Sequence, residues 1–455
     1  MANFKLSEII PVIDGQLING DSELIVTGIS TDSRKINRGD LFLALKGERF
    51  DGHRFLNEAV TAGAAALLVM EEIDSMRDTP VIRTDDTLKA FGAIARFHRE
   101  RFKVPVIAIT GSNGKTTTKD LVAAVLSQKY NVVKTEANFN NEIGLPLTLL
   151  EMDQNTEAVV VEMGMRGLGQ IRNLAAIAKP EIGIVTNIGQ AHLELLGSEA
   201  NIAKAKAELI EALPPNGTAV LNGDDPWIRQ MSIPKSFRPV WFGLEDSKLD
   251  FRAVVLENTS QGTLFQVTGD GIKIDILLPL PGRHNVYNAL AAIVTGRILG
   301  LSTTAIREGL SAPAMTGRRL KVLNRNQLRI IDDTYNASPA SVKAALEVLC
   351  QSSGPGKKIA VLADMLELGE ASISSHIEVG EYAAKLGVNH LLAYGNLARK
   401  YVDGFTSITP KRAEYFSNKP DLIRILKQVA RPGDSILVKG SRGMKMEEVV
   451  EALTI

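Results

Sequence analysis

The stretch Val106-Ile107-Ala108-Ile109-Thr110-Gly111-Ser112-Asn113-Gly114-Lys115-Thr116-Thr117-Thr118 decides the reading of this chain. A short β-branched strand runs straight into a Gly-x-x-Gly-Lys-Thr turn, and Lys119-Asp120-Leu121-Val122-Ala123-Ala124-Val125-Leu126 then reads as a helix. That is the layout of a phosphate-binding loop. Its glycines let backbone N–H groups close around phosphate oxygens, the helix N-terminus faces the anion, Lys115 neutralises it, and a threonine hydroxyl holds Mg²⁺. The loop departs from the common Gly-x4-Gly-Lys-Ser/Thr pattern, because Ile109 stands where the first glycine would be. An ordinary strand–turn–helix junction explains one glycine but not two followed by Lys-Thr-Thr-Thr. The chain is expected to bind a nucleoside triphosphate through Gly111, Ser112, Asn113, Gly114, Lys115, Thr116 and Thr117.

Outward from this loop, apolar strands alternate with helical segments, which predicts a parallel sheet. Strands are expected at 104–110, 131–135, 158–162, 182–186 and 218–221. Residues 250–280 break the rhythm and read as an antiparallel meander, and 285–299 is an alanine-rich helix. A second alternation begins near 316, with strands at 328–332, 358–363, 390–394 and 435–438; it lacks Gly-x-Gly-x-x-Gly and so is Rossmann-like without a dinucleotide fingerprint. Before the loop, a strand at 40–45, a short helix at 54–62, a buried strand at 65–70 and a helix at 88–102 form a first unit. The expected fold is α/β in three domains: 1–103, 104–315 with the central phosphate-loop sheet and its meander, and 316–455. At 455 residues, three domains match the usual domain size.

Lys+Arg and Asp+Glu both number 52, so no global basic field recruits nucleic acid or an anionic membrane. The single cysteine, Cys350, excludes disulfide staples and a cysteine-based zinc site. No apolar signal core opens the chain, and no run reaches transmembrane length. A cytoplasmic enzyme, monomeric and independent of membrane and nucleic acid, is the expectation.

Ligands of an open parallel sheet sit beyond the carboxyl ends of its strands. There stand Glu162, an oxygen ligand suited to Mg²⁺ or a solvated strand end, and Asn187 followed by His192, a metal ligand or a loop hydrogen-bonder. Lys206 lies in the middle of the apolar stripe Ile202, Leu209, Ile210 and Leu213, whereas Lys204 points the other way. A lysine so placed must snorkel, find a carboxylate or lose its charge; as a neutral amine it can capture CO₂ as a carbamate. Asn285 and Asn288, three apart in a helix's first turn, suit an adenine edge or capping. Arg318 and Arg319 follow Gly317 at the second boundary, where an arginine reaches phosphates as domains close. Asp333 suits a ribose hydroxyl or a helix cap. Lys439-Gly440-Ser441-Arg442 follows a strand and suits a substrate carboxylate.

Together these residues resemble the Mur ligase family of peptidoglycan synthesis. The resemblance runs through 110–117, Asn138-Phe139-Asn140-Asn141-Glu142-Ile143-Gly144, Glu162, Asn187-Ile188-Gly189-Gln190-Ala191-His192-Leu193-Glu194, Lys206, His284-Asn285-x-x-Asn288 and 332–336. It implies that Lys115, Thr116 and Thr117 hold ATP phosphates, that Thr116 and Glu162 take one Mg²⁺, and that His192 and a carbamylated Lys206 serve a second. It further implies that Asn285 and Asn288 face the adenine region, Arg318 the phosphates and Asp333 the ribose. Thr31-Asp32-Ser33-Arg34 and Lys46-Gly47-x-x-Phe50-Asp51-Gly52-His53 look like UDP-sugar-binding segments, which places Ser33, Arg34, Lys46 and also Asn141 on that substrate. Segments 332–337, 364–370 and 438–447 resemble the members that attach D-alanyl-D-alanine to UDP-N-acetylmuramoyl-tripeptide through an acyl phosphate. Ala363 stands where the family often has Gly, and Ser338 where Asn commonly precedes Pro.

Three rival readings are separable. The sister ligase that adds the third residue carries Asp-Asn-Pro-Arg, absent here. Folylpolyglutamate synthase lacks the N-terminal UDP-sugar domain. A regulatory NTPase needs only the phosphate loop and a group that positions water, and would hydrolyse ATP without muropeptide.

Overall fold

In the computed structural model, the described residues are 3–48, 50–73, 78–234, 239–259, 262–351 and 355–454. The central sheet has nine strands. From one edge they are Ile272–Leu278, Gly262–Gly269, Phe251–Thr259, Val240–Gly243, Thr218–Asn222, Ile182–Val185, Val106–Thr110, Ala158–Glu162 and Val132–Lys134. The first three form the antiparallel meander, and the rest run parallel. The phosphate-loop strand thus lies between the strand that ends in Glu162 and the one that leads to Asn187. It is buried along its whole length, which is why it reads as a continuous β-branched run rather than an alternation.

Ahead of it, a five-stranded sheet runs in the order Gln16–Asn19, Val81–Arg83, Ala66–Val69, Asp40–Leu43, Gly28–Ser30, with only the first pair antiparallel. The last sheet has six strands, Lys321–Arg325, Leu328–Asp333, Ser435–Lys439, Lys358–Ala363, His390–Tyr394 and Arg412–Phe416, again antiparallel only at the first pair. The short strands Gly28–Ser30, Val81–Arg83 and Val240–Gly243 and the edge strands Lys321–Arg325 and Arg412–Phe416 go beyond the expected set. They are brief or exposed and carry little periodic signal.

The apolar packing is distributed unevenly among the three units. One buried cluster joins Leu41, Leu68 and Ile82 of the first sheet to Val106, Ala108 and Val159 of the central sheet, through Phe91, Ile94 and Ala95 on the helix Thr87–Glu100. The opposite face of the central sheet is covered by Lys115–Leu126 and Arg283–Ile298. Beyond residue 320 the core is separate: its two clusters contain no residue from the other sheets. The first and central units therefore share an interior, whereas the last unit has apolar clusters of its own.

Candidate active site

The strand Val106–Thr110 delivers the chain into the loop, and the helix Lys115–Leu126 takes it away. Gly111 and Gly114 have φ of 152° and 81°, and a Cβ at Gly114 would lie 2.5 Å from Asn288 Oδ1. Both glycines are therefore required by conformation and by space. The loop is braced from the neighbouring strand's end. Asn187 Oδ1 accepts from the Asn113 N–H at 2.9 Å, Asn187 Nδ2 donates to Asn113 O at 3.0 Å, and Thr186 Oγ1 donates to Asn113 O at 2.7 Å. With these bonds made, the loop is held open as a cradle before any anion arrives.

Lys115 Nζ donates to Gly111 O at 2.7 Å, folding back over the loop. Burial pushes its pKa below the ordinary lysine range, and the nearby Glu162 opposes that. Thr116 Oγ1 donates to Glu162 Oε2 at 2.7 Å, while Asn140 Nδ2 donates to Glu162 Oε1 at 2.8 Å. Glu162 is 3% exposed, and among the described residues no cation pairs with it directly. A buried carboxylate satisfied only by neutral donors, beside a threonine hydroxyl, fits a hard cation such as Mg²⁺.

His192, in a left-handed backbone conformation with φ 63°, lies between the phosphate loop and the last domain. Its Nδ1 is 2.8 Å from Glu367 Oε2, an approach too oblique for a hydrogen bond. Burial lowers its pKa, with Lys115 adding repulsion. Lys206, on the helix Glu199–Glu211, is 2% exposed among Ile202, Leu209 and Ile210, while Lys204 is exposed. No hydrogen bond or ion pair joins its ammonium to a described residue, and burial, reinforced by Lys115, drives its pKa well down. Of the options open to such a lysine, snorkelling and carboxylate pairing are not used.

Most of these groups, though neither Lys206 nor Gly111, line a cavity of about 1330 Å³ with walls from all three units. Ser112–Thr117, Asn140, Glu162 and His192 line it from the centre, Lys89 and Arg96 from the first unit, and Asp333, Tyr335, Glu367 and Arg442 from the last. Several expected residues are placed differently. Arg318 pairs with Glu451 at 2.9 Å, away from the loop; its neighbour Arg319 donates to Thr116 Oγ1 at 2.9 Å and stacks 4.0 Å over the Tyr335 ring. Among the described residues the buried Arg319 Nε has no hydrogen-bond partner. Gly-Arg-Arg alone does not say which arginine turns inward; Gly317 and Leu320, at φ 81° and 48°, set that register. Asn288 and Asn285 bond to each other at 3.1 Å, and Asn288 Oδ1 accepts from Thr118 at 3.1 Å, so they brace the loop's helix. Asp333 accepts from Lys439 Nζ at 2.5 Å, so of the two cations of the 439–442 segment that line the cavity, Lys439 is neutralised by Asp333 and Arg442 stands 3.5 Å from Glu447.

Ser33, Arg34 and Lys46 do not line this cavity. They follow the carboxyl ends of Gly28–Ser30 and Asp40–Leu43 on the first sheet. Arg34 grips Asp32 through both Nε and Nη2 at 2.8 Å, which holds the Asp32 pKa down to about 2. Lys46 sits 2.7 Å from Glu71 and 3.7 Å from Asp51. Asn141 does line the cavity, with its side chain accepting from the Gly144 N–H at 2.9 Å to cap the next helix. Missed by the sequence reading were Asn140, one position away, and Ser338, whose Oγ donates to Asn113 Oδ1 at 2.8 Å across the domain boundary. Asn140 lies inside the 138–144 segment already singled out, and Ser338 lies just past 332–337, where it was noted only as a departure from the family pattern.

Three family models cover the chain in succession: the Mur ligase family catalytic domain over residues 25–105, the Mur ligase middle domain over 109–296 and the Mur ligase glutamate ligase domain over 318–442. The UDP-N-acetylmuramoyl-tripeptide–D-alanyl-D-alanine ligases of Bacillus subtilis strain 168 and Escherichia coli strain K12 are each 40% identical, over 100% of this chain and 99% of their own length. Among solved structures, MurF from Acinetobacter baumannii superposes with a TM-score of 0.92 at 33% identity, covering 100% of this chain and 99% of that one. MurF ligase from Thermotoga maritima in complex with ADP gives 0.83 at 30% identity, covering 94% and 96%. Such end-to-end agreement, across all three units rather than the phosphate loop alone, places this chain in the Mur ligase family.

Proposed function

We propose that this chain is an ATP-dependent amide ligase of peptidoglycan precursor synthesis that joins D-alanyl-D-alanine to UDP-N-acetylmuramoyl-tripeptide. The observation that carries this reading is the single cavity in which a phosphate loop, a buried carboxylate and the last domain's cations meet, in a chain that matches relatives of that name along its whole length. A hydrolytic switch has no use for a cavity reaching into a third domain, whereas a ligase with three substrates requires one.

The chemistry divides into two transfers. An oxygen of the tripeptide's carboxylate attacks the γ-phosphorus of ATP, the bond to the β-phosphate oxygen breaks, and ADP leaves an acyl phosphate. The dipeptide amine then attacks the acyl carbon through a tetrahedral intermediate. The C–O bond to phosphate breaks, inorganic phosphate departs, and the nitrogen loses its proton to form the amide. Lys115 and the loop N–H groups hold the phosphates, and Arg319, clamped on Tyr335, meets the transferring group. Thr116 and Glu162 are suited to hold one Mg²⁺, and His192 with a carbamate on Lys206 a second; bound there, the ions neutralise phosphoryl charge. A carbamate would give the buried Lys206 side chain a negative charge, which the nearby Lys115 favours as much as it disfavours an ammonium there. Asn285, Asn288 and Asp333 border the nucleotide. The edge bearing Ser33, Arg34 and Lys46 is assigned to the UDP-sugar, and Arg442 to the dipeptide carboxylate. The domain bounds 1–103, 104–315 and 316–455 follow these roles.

The test is turnover with UDP-muramoyl-tripeptide, ATP and D-alanyl-D-alanine, with dipeptide amide and single amino acids as competitors. Amide formation with the dipeptide, lost when its terminal carboxylate is capped, is the expected result. Preference for a single amino acid on a UDP-dipeptide acceptor moves the assignment to the sister ligase, and ATP hydrolysis without product to the NTPase.

A further inference from the structure

The central and last domains are joined at a crossing that the mechanism above leaves unused. Asp120, one turn past Thr116 on the phosphate-loop helix, is 1% exposed. Its Oδ2 accepts from the Thr316 N–H at 2.7 Å, and its Oδ1 from the Thr316 hydroxyl at 2.8 Å. Lys119 Nζ, fully buried, donates to the same hydroxyl at 3.2 Å and to Thr135 O at 2.7 Å, and stands 3.0 Å from Asp120; Lys134 approaches Asp120 at 3.1 Å. Two cations, one carboxylate and one linker residue are thereby tied together, with Lys119 and Asp120 buried and Lys134 and Thr316 half-buried. Immediately afterwards comes a permissive joint: Gly317 has φ 81° with only Tyr335 near its missing Cβ, whereas Leu320 beyond it is held left-handed at 48° with its N–H on Asp333. Between them Arg319 reaches back to Thr116.

We infer that the Asp120–Thr316 pair is the fixed bearing of the domain hinge, that Gly317 is its turning joint, and that this pair positions Arg319 against the transferring phosphoryl group. The segment lies along the helix whose N-terminus holds the phosphates, so the arginine is registered by Thr316 to the surface on which the nucleotide rests. Loosening Thr316 leaves the nucleotide cradle whole but lets Arg319 drift, and a small displacement of a charge-stabilising group costs rate rather than binding. Asp120 and Thr316 are thus positioning residues. This inference rests on the ATP reading proposed above.

The experiment compares full-length wild type, Thr316→Val and Thr316→Ser. Valine keeps the shape and the N–H but removes the hydroxyl, whereas serine restores it. Binding of the ATP analogue AMP-PCP is titrated calorimetrically for each, and kcat and KM for ATP are measured with saturating muropeptide and dipeptide. Thr316→Val is expected to lower kcat about tenfold, the scale of one hydrogen bond to a charged group. It should bind AMP-PCP at full stoichiometry with KM for ATP within about twofold, and Thr316→Ser should recover most of the rate. Equal loss in both variants, unchanged kcat in Thr316→Val, or a loss matched by missing AMP-PCP sites overturns the inference. Failure of wild type itself to bind AMP-PCP overturns the ATP reading instead.

Discussion

Lys206 is the side chain on which the proposed second cation site depends. It is buried, lacks a partner among the described residues and is repelled by Lys115. Its lowered pKa means that the neutral amine, the form that takes up CO₂, appears at a lower pH than for a free lysine and increases as pH rises. With ¹³C-bicarbonate, a carbamate carbon resonance should therefore grow with pH and be missing from Lys206→Ala. That variant should lose at least about a hundredfold in turnover, the scale of one lost electrostatic stabiliser, with partial rescue by short carboxylates. Near-normal activity or an unlabelled lysine would count against it. The two arginines after Gly317 offer a second contrast. Arg319→Ala should reduce kcat/KM by about a hundredfold or more, because its guanidinium bonds Thr116 at the phosphate loop. Arg318→Ala should stay within about fivefold, because it removes a solvent-exposed pair with Glu451 and a long 3.9 Å approach to Asp332, neither of which touches the phosphate loop. Steady-state kinetics in which Arg318 mattered more would reverse the assignment.

At the scale of elements, the strand–loop–helix unit works because its neighbours hold it. Asn187 and Thr186 brace the loop from one adjacent strand, Asn288 packs against Gly114 from the helix Arg283–Ile298, and Glu162 reaches Thr116 from the other adjacent strand. Gly114→Ala puts a Cβ into the Asn288 amide and forces a left-handed backbone on an L-residue. Affinity for AMP-PCP should fall at least about tenfold, the equivalent of about 1.4 kcal/mol, with the far-UV spectrum retained. Unchanged affinity by calorimetry would show that the loop is looser than its bracing implies. The elements predicted from pattern are those with strong local signals. The buried run 158–162 and the Rossmann-like strands 358–363 and 390–394 appear with those bounds. The exposed edge strand Lys321–Arg325 has no such signal, since its pairing partner supplies the order.

The whole molecule divides unequally. A continuous apolar core makes the first and central units one body, whereas the last domain has its own core and meets them at Asp120–Thr316, Ser338–Asn113, Arg319–Thr116 and His192–Glu367 among other contacts. Polar contacts of this kind exchange readily for water, so the last domain is the part free to swing. Closure would keep Arg319 at Thr116, bring Asp333 toward the nucleotide and exclude water from the acyl phosphate. Solution scattering should show compaction when AMP-PCP and UDP-muramoyl-tripeptide are both saturating. A radius of gyration unchanged under those conditions would remove closure from the mechanism. Among the described residues no helix is long and apolar enough to cross a membrane.

What the sequence determined by itself are the features written within a few residues of one another: the phosphate loop between its strand and helix, the alternation that makes parallel sheets, and Lys206 in the middle of an apolar stripe. Helical and strand periodicity operate over one or two turns, and glycine restrictions over a single residue, so these are legible without a partner. Only the tertiary structure decided which of two adjacent arginines meets Thr116, a contact spanning 203 positions. It also withdrew Lys439 into an ion pair with Asp333, put Ser33, Arg34 and Lys46 on a separate sheet edge, and tied Thr316 to Asp120. Each of these depends on how far apart in the chain two groups begin and how the packed sheets orient them. No local pattern encodes that, because the partner that satisfies a charge is chosen by the fold.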